Sequence, residues 1–229
     1  LHDRISGVSV IWIDDEDASN APTSLSFISS TTSAASTITC PTVEAGDIGI
    51  LWDVAGDSGP PSAVVPSGWT AISNLNVDAG TYAIRAILSY KIFAGTEDGS
   101  TITGMTGVNS EPKVLLLFRP NAGSVVSALE LQSPWNEFCA DANPPTQTIL
   151  ASGQPAPLIR IAATGRVAGT PTVSLTGVFD AATIGQTDNN ARAVIGYAVQ
   201  NSSPSDDNTI DNSLSGGAQA LVSGWLRAI

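Results

Sequence analysis

The sequence predicts an all-β protein, a β-sandwich of jelly-roll or lectin-like type with almost no helix, made from two copies of one unit. Three observations carry this expectation. Only 13% of the 229 residues are charged, and Gly, Ser, Thr, Ala and Pro dominate where a helix-rich chain would carry Glu, Lys and Leu. Short apolar runs are bounded by Gly, Pro, Asp and Asn clusters, the pattern of strands joined by turns, and no capped 3.6-residue apolar period interrupts them. The two halves also match each other at a nearly constant offset.

In chain order, residues 48–54 are apolar and β-prone and run into a turn cluster at 56–61. Residues 82–93 read as one long strand, closed by Gly95, Asp98 and Gly99. Residues 114–118 are continuously apolar between Pro112 and Pro120, which bound them as a strand. The second half repeats the pattern at 158–162, 173–175, 191–199 and 220–229, while 14–24 and 201–217 are the most polar, loop-like stretches.

Arg85-Ala86-Ile87-Leu88-Ser89-Tyr90-Lys91-Ile92 reappears as Arg192-Ala193-Val194-Ile195-Gly196-Tyr197-Ala198-Val199, an offset of 107 (85 to 192). Gly46 and Gly153 keep that spacing, while Thr101-Ile102 and Thr209-Ile210, and Arg119 and Arg227, lie 108 apart (119 to 227). An ordered series of this kind indicates internal duplication. Two units are too few for an open solenoid, so the halves are expected to pack on each other about a pseudo-two-fold axis. The chain then divides into an N-terminal extension or arm at 1–30, a first β repeat at 31–121 and a second at 122–229, packed as one sandwich. Trp52, Tyr90, Phe118, Tyr197 and Trp225 are the expected core aromatics. Ile11, Trp12 and Ile13 lie outside the repeats, and their burial would drive the arm onto a neighbouring subunit or a sheet edge.

The search for chemistry is mostly negative. His2 is the only histidine, so a nucleophilic triad has no credible base, and Gly56-Asp57-Ser58-Gly59 reads as a turn. Asp47, Asp53, Glu97, Asp98, Glu130, Glu137 and Asp180 are carboxylates that no spacing orders into a glycosidase pair. The acidic clusters at Asp14-Asp15-Glu16-Asp17 and at Asp206, Asp207 and Asp211 read as solvated loops and do not match a calcium-loop pattern. Cys40 and Cys139 have no metal spacing and are expected as free, buried thiols. No cofactor, no metal and no catalytic residue is expected.

A net charge of -12, from 9 Lys plus Arg against 21 Asp plus Glu, repels phosphate backbones and argues against nucleic acid as a partner. No apolar stretch is long enough to cross a bilayer as a helix, so a soluble protein without membrane contact is expected. The chain opens on Leu1, and a natural start is expected to have preceded it.

The order of Gly46-Asp47 with its apolar strand, Pro66-Ser67-Gly68-Trp69, Tyr90-Lys91-Ile92 and the run 114–118 resembles a β-sandwich unit of tailed-bacteriophage tail, fibre and capsid-surface proteins. The resemblance covers mainly residues 30–120. The second half departs from it, with 173–176 in place of the Pro-Gly-Trp turn and Ile159 in the position of Trp52. The resemblance implies a non-catalytic structural protein of a virion, a decoration, tail or fibre component that forms homo-oligomers and docks on other phage structural proteins. The alternative is a carbohydrate-binding module or receptor-binding fibre domain that contacts a host glycan through Trp69 or Trp135.

Overall fold

Six of the apolar, β-prone segments of the sequence form the three central strands of each of two five-stranded antiparallel sheets. The computed structural model describes residues 24–57, 62, 64–78, 83–105, 111–121, 126–140, 147–149, 158–167, 173–176, 184–188, 191–200, 208–212 and 218–228. Residues 1–23, with Ile11, Trp12, Ile13 and the first acidic cluster, lie outside the described residues. The first half contributes β1 (Leu25–Ser33), β2 (Thr37–Thr39), β3 (Ile48–Asp57), β4 (Thr70–Asp78), β5 (Ala83–Ile92), β6 (Thr101–Thr103) and β7 (Lys113–Pro120). The second contributes β8 (Leu129–Ala140), β9 (Gln147–Ile149), β10 (Leu158–Val167), β11 (Val173–Thr176), β12 (Ile184–Asp188), β13 (Ala191–Gln200), β14 (Asn208–Asn212) and β15 (Ala218–Ala228). No helix occurs among the described residues, and the protein is all-β.

Each half makes one whole sheet. The first has the order β1-β7-β3-β5-β4, and the second, from the corresponding edge, β8-β15-β10-β13-β12. Strand for strand these orders are the same. A small sheet accompanies each: β2-β6 in the first half and β9-β14-β11 in the second. β14 lies inside the stretch 201–217 that the sequence suggested was loop; its polar residues pair with β9 and β11 instead.

Ladder register corrects one correspondence. Trp52 pairs with Leu88 on β5 and Val114 on β7. Carried over by 107 and 108 positions these become Ile195 and Val222, and both pair with Ala163. Trp52 therefore corresponds to Ala163 and not to Ile159, an offset of 111 (52 to 163). A single offset misplaces this strand because the units differ in turn length on either side of it. The boundary expected between 30 and 31 also falls inside a strand: β1 starts at Leu25 and pairs with β7, as β8 pairs with β15. The Ser/Thr-rich sequence of β1 conceals it, since after Leu25 its residues only alternate between exposed and half-buried.

The facing sides of the two sheets bury one continuous cluster. Ile48, Ile50, Trp52 and Val54 of β3, Val114, Leu116 and Phe118 of β7, and Ile84, Ala86 and Leu88 of β5 meet Ile159, Ile161 and Ala163 of β10, Ile195 and Tyr197 of β13, and Val222 and Leu226 of β15. Tyr197 reaches across the layers, stacked on Phe27 at 4.4 Å between ring centroids and edge-on to Phe118 at 5.4 Å. The expected core positions of Trp52, Phe118 and Tyr197 hold, and Tyr90 is half-buried against the same cluster. The side chain of Trp225 lies outside the described residues.

β3 and β10 are counterparts that touch each other, so residues at their crossing meet their own equivalents. Val54 corresponds to Gly165 at the same offset, and a Cβ on Gly165 would stand 2.8 Å from Val54 Cγ2 and 3.3 Å from Ile84 Cδ1. A pair of valines would collide there, and the duplicated strands avoid it by keeping one valine and one glycine. Gly165→Val is expected to cost about 1–3 kcal/mol through overpacking. The exchange Val54→Gly with Gly165→Val should recover most of it, read as the midpoint of urea unfolding.

The first sheet is also covered on its outer side, where Ile38, Cys40, Val43, Leu51, Trp69, Phe93, Ile102, Leu115 and Leu117 form a second cluster beneath β2 and β6. Burial on both faces is why β3 and β7 read as continuous rather than alternating apolar runs. Cys40 is free and buried, and burial pushes its thiol up. Native protein should therefore leave Cys40 unalkylated by iodoacetamide, with rapid modification only after unfolding, as peptide mapping would show.

Candidate functional site

The residues of the two glycine turns, at Gly46-Asp47 and Gly68-Trp69, are structural at atomic level. Glu44 to Asp47 and Pro66 to Trp69 each form a four-residue turn closed by a bond from the fourth N–H to the first carbonyl, at 3.1 and 3.0 Å. Gly46 (φ 89°) and Gly68 (φ 77°) occupy the third position, where a type II turn needs positive φ. Asp47, almost fully buried, accepts the Glu44 N–H at 2.7 Å. It also receives the fork of Arg119, Nε on Oδ1 at 2.7 Å and NH2 on Oδ2 at 2.8 Å. The third guanidinium nitrogen donates to Glu44 Oε1 at 2.6 Å. These bonds to Asp47 hold the Arg119 proton more firmly than usual.

Trp69 packs inward. Its ring meets Phe93 edge-on at 6.0 Å, and both lie over Gly49, where a Cβ would stand 2.6 Å from Phe93 and 3.1 Å from Trp69. With 9% of its surface exposed, Trp69 presents no free face on which a sugar could stack. Beside it opens a shallow groove of about 190 Å³ lined by Pro66, Ser67, Trp69, Lys91, Ser100, Thr101, Ile102 and Thr103. Its cation, Lys91, is bonded to Glu97 at 3.2 Å and lies 5.6 Å from the Phe93 ring centre. Glu97 in turn accepts the N–H groups of Ala94 and Thr96. Partial burial opposes its charge, yet those bonds and Lys91 hold its carboxyl below the usual range.

The most enclosed polar group is on the outer face of the first sheet. Asp53 and Lys113 are directly paired in register on β3 and β7, with side chains 1% and 0% exposed and 2.7 Å between Oδ1 and Nζ. Met105 donates its N–H to Asp53 Oδ2 at 2.8 Å, and Lys113 Nζ also reaches the carbonyls of Met105 and Glu111 at 3.4 and 3.3 Å. Burial, partly offset by Lys113, lifts the Asp53 carboxyl to about 6. The pair is roofed by backbone: a Cβ on Gly104 would run into Asp53 Oδ2 and stand 2.7 Å from Lys113 Cε.

Of the carboxylates named in the sequence, Asp47, Asp53 and Glu97 are thus in ion pairs, and Glu97 and Asp98 accept backbone N–H groups of their loop and of Val43. None of these four faces another across an open cleft. Asp180, Asp206 and Asp207, and the side chains of Glu130, Trp135, Glu137, Cys139 and Asp211, lie outside the described residues, as does His2. Among the described residues no cluster of three or more His, Cys, Asp or Glu could hold a metal, and no helix is long and apolar enough to cross a membrane.

The Asp53–Lys113 and Asp47–Arg119 pairs were not predicted. The signal was present: a lone Asp inside Ile50-Leu51-Trp52-Asp53-Val54 and a lone Lys opening Lys113-Val114-Leu115-Leu116 are opposite charges embedded in two strands buried on both faces. Such charges must find each other. Comparison of the chain with family models, curated proteins and solved structures returns no match.

Proposed function

We propose that the protein is a non-catalytic structural component of a bacteriophage virion, a decoration, tail or fibre protein that self-assembles and docks on other particle proteins. The observation that carries this reading is the ordered series Gly46-Asp47, Pro66-Ser67-Gly68-Trp69, Tyr90-Lys91-Ile92 and 114–118, with its resemblance to phage sandwich units. Two features support it. Among the described residues of the first half, Arg119 with Asp47 and Glu44, Lys113 with Asp53, and Lys91 with Glu97 form ion pairs, and Asp47, Glu97 and Asp98 also accept loop and turn N–H groups. Three of the four edge strands of the two five-stranded sheets, β1, β4 and β8, carry register shifts, which discourage open-ended edge-to-edge addition and leave assembly to faces and loops. Quantitative mass spectrometry of purified particles is the test. The protein should be present in fixed stoichiometry with the other structural proteins, and its absence from particles would sink the proposal.

A host-glycan contact is the second reading, favoured by the hydroxyls of Ser67, Ser100, Thr101 and Thr103 around the groove beside Lys91. Glycan-array binding lost on Ser67→Ala with Thr101→Ala would support it, and unchanged binding would remove the groove from consideration.

A further inference from the structure

We propose that Lys113 and Asp53 join in an intramolecular amide, a covalent cross-link between the neighbouring central strands β3 and β7. Nζ and the carboxyl are in contact at 2.7 Å, are both shut off from solvent, and sit on strands that hold them in direct register. Fixed proximity of this kind replaces a bimolecular condensation with an intramolecular one. The driving force is electrostatic: two ions buried in a low-dielectric layer become one neutral group, which removes their desolvation penalty.

The surroundings assign a role to each atom. Transfer of one proton from the ammonium to Oδ1, within their hydrogen bond, gives amine and carboxylic acid. Burial, which lifts the Asp53 carboxyl to about 6, favours the protonated form, and Glu111 adds in the same direction. The Nζ lone pair then adds to Cγ, and the negative charge passes to Oδ2, where the Met105 N–H already donates at 2.8 Å. The carbonyls of Met105 and Glu111 orient Nζ for that approach. A second proton moves from Nζ to Oδ1, the Cγ–Oδ1 bond breaks, and Oδ1 leaves as water. Ammonium and carboxylate become amide and water, with nothing oxidised or reduced. Gly104 closes the roof with backbone alone and keeps bulk water, which would hydrolyse the product, away from the bond.

The equivalent positions of the second half carry no such pair. The register positions equivalent to Asp53 and Lys113 are Thr164 and Leu221, which face each other on β10 and β15. The cross-link is therefore a single one, and it ties the first sheet whichever partner the protein serves.

The test is mass spectrometry of the full chain, folded, then denatured and reduced. The expected mass is lower than the sequence mass by about 18 Da, one water, and protease digestion should yield one branched peptide joining residue 53 to residue 113. Dehydration at Asp98-Gly99 would give the same mass loss, so the branched peptide is the deciding readout. Lys113→Arg should show the two peptides separately. Should that variant fail to fold, the wild-type map decides alone: separate peptides bearing Asp53 and Lys113, from folded protein after prolonged incubation, overturn the proposal.

Discussion

Lys113→Leu is expected to unfold about 3–5 kcal/mol more easily than the double variant Asp53→Thr with Lys113→Leu. The double variant copies the second half, where Thr164 and Leu221 stand in the same register positions. The single variant leaves a carboxylate in a layer with no solvent and no counter-charge, whereas the double removes both charges and places there a residue pair that the fold already uses once at this register. Both variants lack the amine needed for a cross-link, so the comparison isolates the buried charge. Its pH dependence has a definite sign. Burial raises the Asp53 carboxyl above its ordinary 3.8 even with Lys113 present, so the native single variant holds a proton that the unfolded chain releases. Its deficit should be smallest in acid and should grow as pH rises from about 4. Urea unfolding of the two variants across that range is the measurement, and equal stabilities would show that the carboxylate reaches water.

Trp52→Ala is the second large effect, with an expected loss of about 3–5 kcal/mol. Trp52 is the largest fully buried side chain among the described residues. It lies mid-strand on β3 between Leu88 and Val114, in the layer shared with the second sheet. Its counterpart is Ala163, so the equivalent position of the second sheet carries no indole, and the flanking strands are held by ladders on both sides. A midpoint shift in urea, followed by far-ultraviolet circular dichroism with an unchanged m-value, would report lost packing. A shift below about 1 kcal/mol would mean that the layers collapse onto the site.

What was legible follows burial. Residues 48–54, 82–93 and 114–118, and their partners at 158–162, 191–199 and 220–229, are the three central strands of each sheet, and all six were read as strands. The edge strands β1, β4, β8 and β12 were not. They carry residues such as Ser26, Ser29, Thr31, Asn74 and Gln186, because an edge buries at most one side and its backbone tolerates polar and irregular sequence. β8 even contains Pro134, beside a register shift, where a missing N–H is tolerated.

The site was legible in part. Asp47, Asp53, Lys91 and Trp69 could be named as polar or aromatic residues of interest, but the roles of the two aspartates depended on partners 60 and 72 positions away, Lys113 for Asp53 and Arg119 for Asp47. Trp69, a candidate stacking surface in the sequence, is internal because Gly49, twenty positions earlier, leaves room for it against the sheet.

By itself the sequence determined the all-β class and the recurrence of Arg85 to Ile92 as Arg192 to Val199, since strand periodicity and repeated local order are properties of neighbouring residues. Only the tertiary structure decided that each half makes its own sheet and that Trp52 matches Ala163. It alone brought Val54 onto Gly165 and Asp53 onto Lys113. Those outcomes belong to ladder register and to contact between layers, where steric fit and desolvation act on residues that the chain holds far apart.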